Sequence, residues 1–373
     1  MTGFVQSIIT IVLFFGILGI LVVIHELGHF VMARLFGVRV LEFGIGFPPR
    51  AKVLRSKGET LYTLNWLPIG GFVKLEGEDG DNVEDARSFS AQGLPRKLVI
   101  LVAGVVMNVV LAFVIFTGIA WLASPYMGIK VYEVTPGSPA AAAGLQAGES
   151  IMAVDGDHYQ FITGPSILDG LRAKVGQTIN LTVDGVDGAR REMTVTLRDQ
   201  AAVDAGQGTL GIARAPSGWE GSFDGQNATN PLPDAIAIGA DQTVNALGLI
   251  LGGLGSLVSS VAADPTAPPP VAGPVGIATQ IGDVFWNAGP ILTLYVAGIL
   301  SANLALVNIL PFPPLDGGRM LIITLKRIFG TRISLRAEQL TYVVGFVFLF
   351  AFIIWVTGFD IIRSLGGGPP LAP

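Results

Sequence analysis

The stretch that decides the fold is HELGH at residues 25–29, which directly follows an unbroken apolar run at residues 8–24. Residues four apart lie on one face of a helix, so His25 and His29 can bind one metal ion with Glu26 beside them. The apolar run is long enough to be most of a membrane-spanning helix. The pattern therefore predicts a zinc site inside a bilayer, with two histidine ligands and Glu26 as the general base.

The histidines themselves argue for this interpretation. The chain has three histidines in 373 residues, and two of them flank this glutamate at metal-binding spacing. The alternative is a pair of buried, hydrogen-bonded histidines with Glu26 as a charge on the helix surface. That alternative is costly, because ionisable side chains at membrane depth are rare unless they serve a function.

A catalytic zinc usually takes three protein ligands, so a third must come from elsewhere in the chain. His158 lies in a turn-rich stretch of what looks like a soluble domain. Asp316 follows the apolar run 291–310 within the segment PFPPLDGG at residues 311–318. Prolines must end that helix, and non-helical backbone at membrane depth is tolerated only where it is buried or lines a cavity. Asp316 is the favoured ligand, and a plain turn residue before two glycines is the alternative.

HELGH together with Leu315-Asp316-Gly317 resembles the site-2 protease family, in which a distant LDG aspartate completes a transmembrane zinc site. The chain is most similar to the bacterial regulator-of-sigma-E protease group, and the resemblance covers nearly its whole length. Further stretches carry it in the same order: PIGGFVKL at 68–75, AGVVMN at 103–108, GPVGI at 273–277, Asn303 and Asn308.

The resemblance implies an intramembrane zinc metalloprotease with one Zn²⁺ held by His25, His29 and Asp316. Its substrates would be single-pass membrane proteins, such as anti-sigma factors or remnant signal peptides, usually trimmed first by another protease. A non-proteolytic membrane receptor or chaperone with the same fold stays open as an alternative, although the intact Glu26 argues against it. A tethered conventional zinc protease would need a further ligand in a soluble domain, and His158 lies in the wrong context for that.

Composition independently predicts a polytopic α-helical membrane protein, because 51% of residues are hydrophobic and only 14% are charged. We expect about four transmembrane helices. Ten basic residues lie between residues 34 and 97 and five between 319 and 336, whereas none precedes the first apolar run. By the positive-inside rule both basic loops are cytoplasmic. The expected location is the bacterial inner membrane, with both termini periplasmic and the active site towards the cytoplasmic side. The basic residues are explained by topology, so no nucleic-acid partner is predicted.

The predicted domains follow from these runs. They are transmembrane helix 1 with HExxH (1–37), a cytoplasmic membrane-associated β-sheet (38–96), transmembrane helix 2 (97–124), a periplasmic PDZ domain (125–200), a linker with interfacial amphipathic helices (201–287), transmembrane helix 3 (288–312), the LDG motif with a cytoplasmic loop (313–338), transmembrane helix 4 (339–362) and a tail (363–373). For residues 234–261 a fifth membrane span is the alternative to interfacial helices, since the stretch is apolar.

The PDZ assignment rests on a resemblance, namely alternating strands around a short alanine helix with Gly-Leu and Asp-Gly turns. PDZ domains bind extended peptides by strand addition, which predicts a groove near Gly128 to Val131. A steric plug or size filter that grips no specific peptide is the equally weighted alternative. Enterobacterial relatives carry two such domains, and this chain has room for one.

Substrate contacts are predicted mainly from resemblance. The cytoplasmic sheet would offer an edge strand, Gly71, Phe72, Val73 and Lys74, to the unwound substrate. Asn303 and Asn308 would bind freed backbone groups of that substrate. Hydrogen bonds between transmembrane helices are the alternative role of the two asparagines.

Overall fold

The structure is a computed structural model that describes residues 2–56, 58–78, 84–213, 221–264, 266–330 and 335–365. The helices are α1 (Thr2–Leu35), α2 (Leu94–Leu122), α3 (Pro139–Ala143), α4 (Ile167–Ala173), α5 (Gln200–Asp204), α6 (Leu232–Ala263), α7 (Pro274–Ile309), α8 (Asp316–Phe329) and α9 (Leu335–Ser364). The strands are β1 (Val40–Arg55), β2 (Leu61–Leu75), β3 (Ser124–Lys130), β4 (Glu133–Val134), β5 (Ser150–Val154), β6 (Asp157–His158), β7 (Thr178–Asp184), β8 (Arg190–Thr196), β9 (Ile212–Ala213) and β10 (Gly221–Ala228).

The chain forms two compact units, Met1–Ile115 with Thr243–Pro369, and Phe116–Gln242. The first unit contains α1, α7, α8, α9, the β1–β2 sheet and most of α2 and α6. Within the described residues, five helices are long and apolar enough to cross a membrane, namely α1, α2, α6, α7 and α9. The protein is therefore a multi-pass membrane protein.

The direction of α1 relative to α2 follows from two contacts. His29 hydrogen-bonds the carbonyl of Ile100, and one turn earlier on α1 the ring of His25 meets Asn108, two turns further along α2. The two helices are therefore antiparallel. Gly28 lies at their closest approach, because a Cβ there would come within 2.3 Å of the Ala103 carbonyl oxygen.

The direction of α7 follows in the same way. Its early residue Trp286 donates to the Thr10 hydroxyl near the start of α1, and the segment after α7 reaches the His25 region near the end of α1. These contacts make α1 and α7 parallel. The end of α9 returns to the start of α7, where Gly276 donates to the Asp360 carboxylate at 2.8 Å. At the other end of α7, Phe312 contacts Phe348 in the first half of α9 at a centroid distance of 5.5 Å, so α9 is antiparallel to α7. Because α2 is antiparallel to α1 and α7 is parallel to it, α2 runs towards the end of the bundle where α7 begins.

The strands β1 and β2 fold on each other so that the first part of β1 lies between the two parts of β2. Phe43, for example, pairs with both Tyr62 and Val73. Residues 71–75 therefore have a β-partner on one side only among the described residues. Val40 at the start of β1 and Leu75 at the end of β2 pack in a buried apolar cluster that also includes Phe89, Ile100 and Leu101.

The second unit contains a β-sheet in the order β10-β3-β5-β7-β8, with β6 paired to β5. Its apolar core is formed by inward-facing strand residues and by α3 and α4, including Val131, Ala140, Ile151, Leu171, Leu181 and Val195. The short helix α3 is set by its ends. Ser138 caps the first turn, and Gly144 ends the helix at φ 82°.

The strand predicted to line a peptide groove near Gly128 to Val131 already has a neighbouring strand on each side. Gly128 and Ile129 pair with β10 on one side, and Ile129 pairs with Ile151 of β5 on the other. A strand with neighbours on both sides has no free backbone groups to accept a peptide. The unexpected neighbour is β10, because we predicted a loose linker over its residues.

Two helices are longer than the predicted segments. We expected one amphipathic helix or a pair of them near 234–261, and α6 is one continuous helix of 32 residues that also meets the length and composition of a span. We expected the third span to begin at 288, but α7 begins at Pro274. The predicted start coincides with a break inside α7, where Gly289 has φ 85° and Pro290 follows.

Candidate active site

The HELGH motif lies inside α1, and the helix places both of its histidines against α2. His25 and His29 are buried, with exposed fractions of 4% and 7%. Their rings meet edge to face at a centroid distance of 4.8 Å. The spacing of four residues thus brings both imidazoles to one point, as the sequence predicted.

Asp316 reaches the same point from a sharp turn after α7. It is the first residue of α8, and a Cβ on the following Gly317 would lie 2.2 Å from the Ile309 carbonyl oxygen. A side chain at that position would prevent the turn. The glycine after Asp316 therefore allows α8 to double back against the end of α7, which brings the carboxylate to the histidines.

The three side chains form a compact set of donor atoms. His25 Nε2 lies 2.9 Å from Asp316 Oδ2, His29 Nε2 lies 3.3 Å from the same oxygen, and the two Nε2 atoms are 3.1 Å apart. Ligand atoms at the corners of a zinc tetrahedron with bonds of about 2.0–2.1 Å are about 3.3 Å apart. Within the described residues this is the one group of three or more potential ligands that could hold a metal ion. Two imidazoles and a carboxylate at this spacing fit Zn²⁺.

Gly104 of α2 keeps the space beside these atoms open. A Cβ at Gly104 would lie 2.6 Å from His29 Nε2 and 2.7 Å from His25 Nε2. Such distances do not occur between real atoms, so any side chain here would displace the ligand rings. In the sequence, Gly104 stands out only as part of AGVVMN at 103–108, one of the stretches that resemble the site-2 proteases. The available signal was a glycine inside an otherwise apolar helix, which is unfavourable without a packing or functional reason.

The orientation of the His29 ring is fixed by its other nitrogen. Nδ1 of His29 lies 2.8 Å from the Ile100 carbonyl oxygen, which can only accept a hydrogen bond. Nδ1 therefore carries a proton, which leaves Nε2 as the nitrogen that a metal ion would bind. Support of this kind is typical of metal-binding histidines.

Glu26 lies beside the predicted substrate strand. Its Oε2 accepts a hydrogen bond of 3.1 Å from the backbone amide of Val73. Gly71 also approaches it, since a Cβ there would be 3.9 Å from Glu26 Cγ. The neighbouring Phe72 and Lys74 pair with β1. The structure therefore brings the predicted base and the predicted strand edge together.

The same strand edge is tied to the helix that carries Asp316. The amide of Leu75 donates to Glu78 Oε2 at 3.0 Å, and Arg319 of α8 forms a salt bridge with Glu78. Arg319 lies three residues after Asp316, and it also donates to the Glu78 carbonyl at 2.8 Å. Burial lowers the pKa of Arg319, but the adjacent Glu78 more than offsets this and raises the pKa, so the guanidinium stays charged.

Two cavities of the first unit adjoin these elements. One, of about 310 Å³, is almost wholly apolar and lies between α1, α7 and α9, with Asn303 on its wall. The other, of about 1290 Å³, has a mixed polar and apolar lining that includes Lys97, Arg319 and Lys326. Asn308 is partly buried near the end of α7. Neither asparagine hydrogen-bonds the His25–His29–Asp316 group within the described residues.

His158, the rejected third ligand, lies in the second unit. It pairs with Ala153 where β6 meets β5, and its ring stacks near Tyr126 at a centroid distance of 5.1 Å. The donor set is thus completed by Asp316 and not by His158.

A bundle of apolar helices that carries His-Glu-x-x-His on one helix, with a carboxylate as the third candidate ligand, is typical of membrane metalloproteases. The sequence profile of peptidase family M50 matches residues 13–352, and the chain belongs to this family of site-2 proteases. Its similarity to individual members extends over nearly the full length of both chains.

A zinc metalloprotease homologue from Clostridium perfringens is 33% identical over 343 residues, which cover 92% of this chain and 95% of the relative. A homologue from Clostridium acetobutylicum is 30% identical over 96% of this chain and 99% of the relative. The zinc metalloprotease RasP of Geobacillus kaustophilus is 27% identical over 96% of this chain and 99% of its own length. The protein is therefore a zinc metalloprotease, as the sequence predicted.

Proposed function

We propose that this protease hydrolyses peptide bonds within the transmembrane segments of single-pass membrane proteins. The observation that carries the proposal is the position of the donor set. His25 and His29 lie on a helix apolar enough to span a membrane, and Asp316 joins them from the turn after another such helix. A zinc held by these three residues would polarise the scissile carbonyl and a water molecule. A site at this depth serves substrates that are themselves in the membrane.

Glu26 is the proposed general base. It follows His25 directly in the chain, and its carboxylate lies at the strand edge where a substrate backbone would be bound. It would take a proton from the attacking water and deliver that proton to the departing amine. Water would approach from the side of α8, where the larger cavity is lined in part by Arg319, one helical turn from Asp316.

The strand Gly71, Phe72, Val73 and Lys74 is the proposed platform for the unwound substrate. A transmembrane helix exposes its peptide bonds only when it unwinds, and the freed backbone groups then need partners. The one-sided pairing of residues 71–75 supports this role, because their outer edge faces Glu26. We assign Asn303 and Asn308 to the same substrate, as hydrogen-bonding groups on the helix that leads to Asp316.

We further propose that the chain spans the membrane four times and that α6 lies at its outer surface. The supporting argument is the direction of the helices, because α2 ends at the end of the bundle where α7 begins. If α6 crossed the membrane, residues 264–273 would have to cross back. Ten extended residues reach about 33–36 Å, barely a bilayer core, and lipid-exposed irregular backbone does not occur there. The basic loops then place both termini outside and the active site towards the cytoplasm of a bacterial inner membrane.

The second unit is the proposed PDZ-like domain on the periplasmic side. Because its strand at Gly128 and Ile129 is paired on both sides, we favour a size filter that admits trimmed substrates over a specific peptide receptor. Such a filter fits substrates already shortened by another protease. Anti-sigma factors and remnant signal peptides are the substrate types that we propose, in regulated intramembrane proteolysis.

The experiment is cleavage of a tagged single-span substrate by the purified protein in detergent. The comparison is between wild type, Glu26→Gln and wild type with chelator. We expect cleavage within the span that is lost in both controls, together with unchanged zinc content in Glu26→Gln. Bound zinc without cleavage of any of several helix-destabilised substrates would contradict the proposal and favour a receptor or chaperone.

A further inference from the structure

We propose that Asn108 of α2 is a positioning residue for the zinc site. When the metal is bound, the Asn108 side chain holds the ring of His25 by accepting a hydrogen bond from Nδ1. The inference rests on the proposed metal site at His25, His29 and Asp316. It assigns to Asn108 the role that the Ile100 carbonyl has for His29.

Asn108 is fully buried beside the His25 ring. Its side-chain Nδ2 lies 3.2 Å from His25 Nδ1, and its exposed fraction is 0%. Within the described part of the chain, its Oδ1 has no hydrogen-bond partner. Its backbone carbonyl accepts a hydrogen bond of 2.8 Å from the Ser301 hydroxyl of α7. The backbone is therefore held, while the amide group faces the imidazole.

The chemistry of imidazole sets what Asn108 must do. His25 Nε2 is the nitrogen that faces Asp316 and His29, so it is the metal-binding atom. A neutral imidazole that binds a metal through Nε2 carries its proton on Nδ1, and that N–H needs an acceptor when it is buried. The amide of Asn108 is the one described side chain in hydrogen-bonding contact with Nδ1.

The arrangement seen here, with the amide nitrogen towards Nδ1, suits a ring that carries its proton on Nε2, where it faces Asp316. A half-turn of the amide exchanges Oδ1 and Nδ2 without changing the shape of the side chain. Oδ1 then lies about 3.2 Å from Nδ1 and accepts its proton. Asparagine can serve both arrangements because its amide offers a donor and an acceptor. Leucine has nearly the same shape and offers neither.

The test measures zinc affinity of the full-length protein in detergent by competition with graded EDTA. We expect Asn108→Leu to weaken zinc binding by about 10–100-fold, the usual cost of losing such a partner. We expect Asn108→Asp, which keeps an acceptor oxygen, to bind zinc at least as tightly as wild type. Ser301→Ala is the matched control, because it removes a hydrogen bond at the same helix contact without touching His25, and it should leave affinity unchanged.

Several results would overturn the inference. Wild-type affinity in Asn108→Leu would show that the amide does not support the ligand. Weakened binding in Asn108→Asp would show that an acceptor is not what the site needs, and this variant decides the matter if Asn108→Leu does not accumulate. Equal losses of zinc affinity in Ser301→Ala and Asn108→Leu would show that the effect comes from helix packing and not from the hydrogen bond to His25. A wild-type protein that binds no zinc would overturn the proposed metal site as well, which separates the two failures.

Discussion

The carboxylate of Glu26 and the backbone amide of Val73 are joined by a hydrogen bond of 3.1 Å. The next outward amide of the strand, that of Leu75, is bound in the same way by Glu78. Two of the outward amides that a substrate backbone would use are thus occupied by carboxylates. A substrate that pairs with this edge must displace Glu26 from Val73, and the same event frees the carboxylate to accept a proton.

Val73→Pro tests this edge, because proline removes the amide proton without removing a hydrogen bond to β1. We expect kcat/KM for a single-span substrate to fall at least about tenfold, the equivalent of one good hydrogen bond. Zinc content should be unchanged. Val73→Ala keeps the amide and is the control, with activity near that of wild type. Equal activities of the two variants would show that the amide has no part in substrate binding.

Gly104→Ala should abolish zinc binding, because the added methyl group would overlap the Nε2 atoms of His25 and His29. The measurement is zinc stoichiometry of the purified protein. Gly118→Ala lies on the same helix, where a Cβ meets nothing within 4 Å of the described structure, and it should retain a full equivalent. Loss of zinc in both variants would point to general damage of α2 instead of a local clash.

Asp316→Ala should lower zinc occupancy as well as activity, because it removes one of three ligands. We expect a loss of affinity of at least about 100-fold, beyond the range seen for supporting partners. Glu26→Gln is the comparison, since it should lose activity and keep its zinc. Full zinc retention in Asp316→Ala, measured by metal analysis after dialysis against chelator, would exclude Asp316 as the third ligand.

The four-span topology is open to cysteine labelling, because the natural sequence contains no cysteine. Single cysteines at three exposed positions, Ser56, Ala189 and Ala263, can be labelled in intact spheroplasts with a membrane-impermeant maleimide. We expect Ala189→Cys and Ala263→Cys to react and Ser56→Cys to react only after lysis. A protected Ala263→Cys would mean that α6 crosses the membrane.

The β-sheet of the second unit has an acid-sensitive ion pair. Hydrogen bonds from Arg191 hold the pKa of Glu149 below its usual range, and the Glu149 side chain is only 5% exposed. Because the folded pKa is lower than the unfolded one, the pair stabilises the fold above about pH 4.3, and this contribution is lost as pH falls through the folded pKa.

Arg191→Ala should therefore destabilise this unit at pH 7, since it leaves the Glu149 carboxylate without its main partner. Arg190→Ala, whose partner Asp184 is more exposed, should cost less than about 1 kcal/mol. Pulse proteolysis of the full-length protein at pH 7 and pH 4 measures both. A difference between wild type and Arg191→Ala that does not shrink at pH 4 would contradict the assignment.

Much of the geometry of the candidate metal site was predictable because its proposed ligands have a local signature. The spacing of His25 and His29 within an apolar run fixes a helical face, and the prolines before Asp316 mark the end of a helix. Gly104 and Asn108 were not predictable in their roles, because which face of α2 meets the histidines depends on how two uniformly apolar helices pack. The pairing of the Val73 amide with Glu26 was also invisible, since a backbone donor leaves no trace in the sequence.

The fold outside the site shows the same limit. The strand β10 was missed because its Gly-rich residues 221–228 lack apolar alternation, and its place beside β3 comes from backbone hydrogen bonds. Whether residues 234–261 form one helix or two was left open by the sequence, because glycines and polar residues interrupt the apolar stretch, whereas helix continuity requires only compatible backbone angles. Apolar runs identify helices well, but they do not show which helices cross the membrane and which lie along one surface of it.

The salt bridge between Glu78 and Arg319 links the edge of the β1–β2 sheet to α8, the helix that begins with Asp316. Glu78 terminates the strand edge, and Arg319 is one turn of helix from Asp316. A change in the length or angle of the β1–β2 sheet would therefore strain the contact that links it to the helix of Asp316. A redesign of this sheet for new substrates would have to preserve the Glu78–Arg319 contact, or replace it, to leave the turn that carries Asp316 undisturbed.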